Sequence, residues 1–376
     1  MDYSQYGWPL AAWVAGVGAW YGAVLLVLTK ELHSAFSADS LKGVQRNHSG
    51  FIPRVGGLSI VFGVLLGWSF SDAAPGQILR VILLGGVPAF AFGFLEDVTR
   101  RVSVRTRLLA TMGSGLVAWG LSGVAITDVN VPWIDPLLLW TPVAVLFTVF
   151  AVGGVANAFN LIDGFNGLAA GTAIIVLVSM GWLSLRLGDP DLATACVVLA
   201  AAALGFMLLN WPFGRLFLGD GGAYFLGFSV AWIAVLLLFR HSQVSAWSSL
   251  LICAYPVLEV LFSMRRRSLR QHNIGHPDRL HLHSLVKRRL VRRCLPRGGQ
   301  LMRNSSTGVL MWILALPAPL WGVSFYDNSP LLMLGLVLFA LGYQALYRRL
   351  VRFRWFPLRY AQPVSPRSHA VSSSEP

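Results

Sequence analysis

Acidic side chains are scarce in this sequence, 16 Asp and Glu among 376 residues, and several stand where hydropathy alone would not keep them. Glu96 and Asp97 end one apolar run, Asp163 precedes a second and Asp220 a third. Asn157, Asn160 and Asn166 surround Asp163, and a basic stretch further on carries Asp278, His281 and His283. Taken singly these are ordinary. Glu96 and Asp97 can be interfacial carboxylates paired with Arg100 and Arg101, Asp-Gly pairs make turns, and two loop histidines are usually solvated. Their coincidence points to chemistry. Converging carboxylates suit a hard cation such as Mg²⁺, which keeps some waters and bridges substrate phosphates. Arg and His nearby neutralise phosphate oxygens, and Gly219, Gly221 and Gly222 let backbone approach a ligand. Such a set fits phosphoryl transfer, which rests on positioning and charge neutralisation.

The elements that must hold these groups are apolar. Hydrophobic residues make up 55% of the chain and charged ones 12%, with a mean hydropathy of +0.63, against roughly 25% charge in a soluble domain. Runs able to cross about 30 Å of hydrocarbon fall near 8–29, 56–71, 78–95, 107–125, 137–156, 167–187, 191–211, 222–239, 245–264, 308–325 and 330–347. They predict an all-α integral membrane protein of about eleven transmembrane helices. Of the Lys and Arg residues, 27 lie in residues 30–55, 96–107, 215, 265–307 and after 347, while the alternate connections hold 3, Arg80, Arg186 and Arg240. By the positive-inside rule the N-terminus is then outside and the C-terminus cytoplasmic. The loops 30–55, 96–107, 157–167, 211–221 and 265–307, with all the polar groups above, share the cytoplasmic face.

This bias accounts for the net charge of +14 and leaves no case for nucleic acid. Cys196, Cys253 and Cys294 have no CxxC spacing and imply no disulfide framework. Met1 to Pro9 is acidic and aromatic, so the first run is expected to be a retained helix. Residues 1–347 read as one domain, and 348–376 as a basic, then disordered, cytoplasmic tail.

Five segments in order carry a resemblance: His48 with Pro53-Arg54-Val55-Gly56-Gly57-Leu58; Phe94-Leu95-Glu96-Asp97; Asn157 through Gly164 to Gly167-Leu168; Asn210 with Phe217 to Gly222; and Pro277-Asp278 with His281-Leu282-His283. Together they resemble the polyprenyl-phosphate N-acetylhexosamine-1-phosphate transferases, a membrane family whose members start peptidoglycan, O-antigen and teichoic-acid chains. The resemblance implies a multi-pass protein of the bacterial inner (plasma) membrane with a cytoplasmic active site. It would transfer a sugar-1-phosphate from a UDP-N-acetyl sugar to undecaprenyl phosphate, releasing UMP, with Mg²⁺ or Mn²⁺ required. Membrane lipid surrounds it, and a homodimer is compatible with the family.

By position, the resemblance gives catalytic roles to Glu96, Asp97, Asp163, Asp220, His281 and His283, with Asp220 and Asp97 at the metal. Substrate binding would fall to His48, Arg54, Arg100, Arg107, Asn157, Asn160, Asn166, Asn210, Phe217 and Asp278, with Phe217 stacking on uracil. Glu96, Asn166 and Ser284 depart from the usual Asp, Asp and His, and in this resemble the O-antigen-initiating branch. Glu259 in the YPVLE stretch is close enough to the inner end to brace Arg265 or Arg266. Direct in-line attack and a covalent Asp intermediate both remain open. A transporter or flippase would carry its polar residues at mid-membrane on broken helices, and an inactive scaffold would use the basic loops for anionic lipid.

Overall fold

The computed structural model describes residues 8–37, 52–269 and 280–352, and among them every one of the eleven apolar runs is helical. The chain opens with α1 (Trp8–Leu28) and α2 (Lys30–Ser37), then α3 (Gly57–Ser69), α4 (Ala73–Gly85), α5 (Val87–Thr99) and α6 (Val104–Ser122). The boundaries of α6 follow local chemistry. Ser103 Oγ accepts the Thr106 N–H at 3.1 Å at its start, and Gly123 closes it in the left-handed region at φ 69°. A short α7 (Asp135–Leu138) leads into α8 (Thr141–Ile162), α9 (Leu168–Arg186), α10 (Pro190–Asn210) and α11 (Gly219–Arg240). Then come α12 (Ala246–Ile252) and α13 (Ala254–Leu269), the short α14 (Leu282–Val286), a π-helical turn at Lys287–Val291, and α15 (Arg292–Cys294). The chain continues through α16 (Gln300–Ala315), α17 (Pro317–Ser324) and α18 (Ser329–Arg352).

Among the described residues seven helical segments are long and apolar enough to cross a membrane, or nine if the bent pairs α4–α5 (43°) and α12–α13 (80°) each count as one span. The remaining two of the eleven runs correspond to α3, only 13 residues long, and to α6, which carries Arg105, Arg107, Thr111 and Ser114. Two expected boundaries also move. α18 runs five residues into the expected tail, and much of the long basic connection is helical, because the end of α13, all of α14 and α15 and the start of α16 fall within 265–307.

The bundle is centred on α11, which packs against α3, α5, α6, α8 and α9 and buries Phe225, Phe228 and Trp232. Small residues bring the axes close, as expected where lipid tails are as apolar as the side chains. On α1, Ala11, Ala15, Ala19 and Ala23 form one buried stripe against α3 and α10. A Cβ added at Gly63 would stand 2.5 Å from Ala15 O, and one at Gly205 would stand 2.1 Å from Gly16 O.

Candidate active site

At one end of the bundle four segments converge on the start of α11. Residues 53–57 lie alongside 217–218: Phe217 N donates to Pro53 O, and Gly56 N and Gly57 N donate to Phe217 O and Leu218 O, each at 2.9 Å. Gly219, at φ 77°, follows directly. A Cβ there would lie 2.1 Å from Arg54 O and 2.6 Å from Asp97 Oδ2. Gly57 meets Gly222 and Gly93 meets Gly221 at similarly short range. The glycines expected to admit a ligand are therefore occupied in admitting α3 and α5.

That closeness places Asp97, one turn beyond Gly93 on the same face of α5, over the first turn of α11. Its Oδ1 accepts the Asp220 N–H at 2.8 Å and its Oδ2 the Gly221 N–H at 2.9 Å. A carboxylate here satisfies N–H groups a helix start leaves unpaired and complements the positive end of its dipole. Asp220 projects from the same turn, with Oδ2 accepting from Arg107 Nη1 and Oδ1 3.7 Å from Arg54 Nη2. Arg54 also lies 4.0 Å from Asp97 Oδ1. Withdrawal from water raises the Asp163 carboxyl, at the end of α8, to about 7; Arg54 opposes the rise, and Asp220 and Asp97 add to it. Asp163 thus senses both other carboxylates.

The remaining expected residues divide. Glu96 stays within electrostatic reach of Arg107, but its Oε2 accepts the Val102 N–H at 2.8 Å across the α5–α6 turn, where Arg100 is left-handed at φ 56°. Asn157 Nδ2 donates to Thr111 Oγ1 and Gly153 O, joining α8 to α6. Asn160 is half-buried in the last turn of α8. Asn166 is buried with its amide 3.4 Å from Ser305 Oγ on α16. Asn210 is buried with both ends engaged, Oδ1 accepting Gly167 N–H and Nδ2 donating to Leu216 O at 2.7 Å. It clamps the loops on either side. Phe217 is half-buried. His48 and Asp278 lie outside the described residues.

A second cluster adjoins the first. A Cβ on Gly164, next to Asp163, would come within 3.3 Å of His283 Nε2. His283 packs edge-on to Phe165 and stacks on His281, ring centroids 5.3 Å apart. Burial, helped by His281 and opposed by Glu259, lowers His283 to about 4. Lys287 lies over the Phe165 ring at 5.1 Å, and burial, with Arg303 and Arg292, brings its ammonium down to about 8. Glu259 is wholly buried and turns to His281, Leu282 and Tyr343, rather than to Arg265 or Arg266. Sequence reasoning missed Lys287 and Tyr343. The signal it had was a carboxylate inside an apolar run, Glu259, without its partner.

Among the described residues no three Asp, Glu, His or Cys side chains are grouped to hold a metal by themselves. The donors at Asp97 and Asp220 still fit Mg²⁺, which takes one or two protein carboxylates and fills its other positions with water and substrate phosphate. Arg54 and Arg107 stand against these two carboxylates, and Asp163 lies close enough to be raised by both.

The profile of glycosyl transferase family 4 matches residues 79–238. The chain is 28% identical over 261 residues to a probable undecaprenyl-phosphate N-acetylglucosaminyl 1-phosphate transferase of Bacillus subtilis, covering 69% of this chain and 72% of that protein. It is also 28% identical over 249 residues to the undecaprenyl-phosphate alpha-N-acetylglucosaminyl 1-phosphate transferase of Yersinia pestis, covering 65% and 68%. The same holds for the protein of that name in Escherichia coli strain K12, with 65% and 67% covered. The profile takes in Asp97, Arg107, Asp163 and Asp220 but ends before Glu259, His281, His283 and Tyr343.

Proposed function

We propose that this chain, which belongs to glycosyl transferase family 4, the family of the polyprenyl-phosphate hexosamine-1-phosphate transferases, transfers a sugar-1-phosphate to undecaprenyl phosphate. The donor in this reading is a UDP-N-acetyl sugar. An oxygen of the lipid phosphate attacks the sugar-side phosphorus, the bond to the other phosphate breaks, and UMP leaves. The product is a lipid-linked diphosphate sugar that starts a cell-envelope polysaccharide, and Glu96, Asn166 and Ser284 favour an O-antigen. The site is read as cytoplasmic, in the inner membrane, within a homodimer.

The observation that carries this reading is the convergence of Arg54, Arg107, Asp97 and Asp220 on the first turn of α11. Two anionic reactants repel, and each needs positive charge at a fixed place before they can meet. Arg54 and Arg107 supply that charge at the helix start. Asp97 fixes the geometry by holding the two amides, and Asp97 and Asp163 are the carboxylates that would orient or deprotonate the lipid phosphate. Mg²⁺, held by Asp220 with Asp97, would supply further charge neutralisation at the diphosphate. His283 stands against Gly164 on the other side, with His281 stacked on it. The attack is direct; a phospho-sugar trapped on the protein without acceptor would overturn that.

The test is purified protein with undecaprenyl phosphate, Mg²⁺ and a panel of UDP-N-acetyl sugars, scored for UMP. Release that requires the lipid supports the reading, and Asp220→Ala should abolish it. Silence across the panel would favour a transporter or scaffold.

A further inference from the structure

Glu259 on α13 is buried in an apolar bundle yet holds three donors. Its Oε1 lies 3.0 Å from His281 Nδ1 and accepts the Leu282 N–H at 3.1 Å, while its Oε2 accepts the Tyr343 hydroxyl at 2.8 Å. A carboxylate so placed is an acceptor at every contact, which requires the proton of a neutral His281 to be on Nδ1. Nε2 then carries the lone pair, and among the described residues it has no hydrogen-bond partner. The ring is further fixed by stacking nearly parallel to His283, 12° between planes, and by its backbone, which begins α14. Tyr343 comes from α18, 84 residues along the chain from Glu259. It also stacks on Phe262 at 4.7 Å, so the last helix is locked to α13 at this point.

We propose that Glu259, itself held by Tyr343, is a positioning residue that fixes His281 with its proton on Nδ1 and so presents Nε2 to the reacting phosphates. The proposal rests on the transfer reading for what Nε2 meets. It makes α18, which lies beyond the matched profile, part of the active-site support. A neutral Nε2 takes a proton or an oxygen-bound hydrogen, and a protonated one donates to a phosphate oxygen. A ring flipped about its bond to Cβ could do neither from the same place.

Two measurements on the full-length protein test it. In long-range ¹⁵N–¹H spectra of ¹⁵N-histidine protein, with His281 assigned by difference against His281→Ala, His281 should be in the Nδ1–H form. Glu259→Gln should shift it toward a mixture. An Nε2–H form in the wild-type protein, or a spectrum unchanged by Glu259→Gln, overturns the proposal. In kinetics, Glu259→Gln should lower kcat about tenfold with KM little changed, and Tyr343→Phe should lower it less. Neither should cost anything further in the His281→Ala background, because each acts through that ring. A cost that multiplies onto His281→Ala overturns the proposal even if every variant folds. Should the wild-type protein transfer no sugar phosphate at all, the transfer reading falls while the spectra still decide the anchor.

Discussion

Gly93→Ala separates local helix preference from the packing that builds the site. Alanine in place of glycine inside a helix is favourable by about 1 kcal/mol from propensity alone. The new Cβ, however, would stand 2.6 Å from Gly221 Cα, 2.7 Å from Gly221 N and 2.8 Å from Asp220 C, all of them backbone atoms of α11 that cannot rotate away. Ordinary contact begins at 3.4 Å, so α5 and α11 must part by about 0.8 Å. Because Asp97 rides on the same face of α5, its bonds to Asp220 N and Gly221 N, now 2.8 and 2.9 Å, would stretch to about 3.6 Å, outside hydrogen-bond range. Bonds to a charged group contribute about 1.5–3 kcal/mol each, so their loss outweighs the propensity gain. The control is Gly120→Ala, on α6 with nothing within 4 Å of the added Cβ. By thermal melting in detergent, Gly93→Ala should lie clearly below the wild-type protein and Gly120→Ala at or above it. UMP release should fall in the first and hold in the second. If the two variants melt and turn over alike, the link from glycine contact to carboxylate geometry is wrong.

Asn210→Ala should lower the melting temperature by the equivalent of about 1–3 kcal/mol, because it leaves Gly167 N–H and Leu216 O buried without their partner; an unchanged melt would show that these loops hold without the clamp. At the other end of the bundle, Asp189 caps α10 and accepts two bonds from Arg240 and one contact from His241. Burial pushes its carboxyl up, but the bonds from Arg240, Leu192 and His241 outweigh this and hold it below the usual range. A depressed carboxylate stabilises the fold fully above its unfolded value of about 3.9, and the contribution is lost as pH falls through the lower folded value. Asp189→Asn should therefore melt below the wild-type protein at pH 7, with the gap closing under acid; a gap constant with pH would refute the ion pair as its cause.

Every apolar run became helical, several of them as two helices, because length and hydropathy are local properties. The polar ends of those helices were legible as well, since a carboxylate at the end of an apolar run is visible in the sequence. What could not be read was where each side chain turned. Glu96 and Asp97 are neighbours, yet Asp97 caps a helix that starts 122 residues later while Glu96 closes its own turn. Asn210 and Asn166 fall in the matching motifs, but their amides are spent on Gly167, Leu216 and Ser305. Such pairings depend on helix crossings set by Gly57, Gly93 and Gly221, not on spacing. Glu259 illustrates the same limit: nearby arginines look like its partners in sequence, and the fold gives it His281 and Tyr343.

The central claim is that phosphorus, not the sugar carbon, is the atom attacked. Incubating the protein with undecaprenyl phosphate, Mg²⁺ and a UDP-N-acetyl sugar labelled with ³²P on the sugar-side phosphate tests it most directly. The label should appear in the lipid fraction, in step with UMP. Label retained in a released nucleoside diphosphate, or none in lipid with any donor of the panel, would contradict the account.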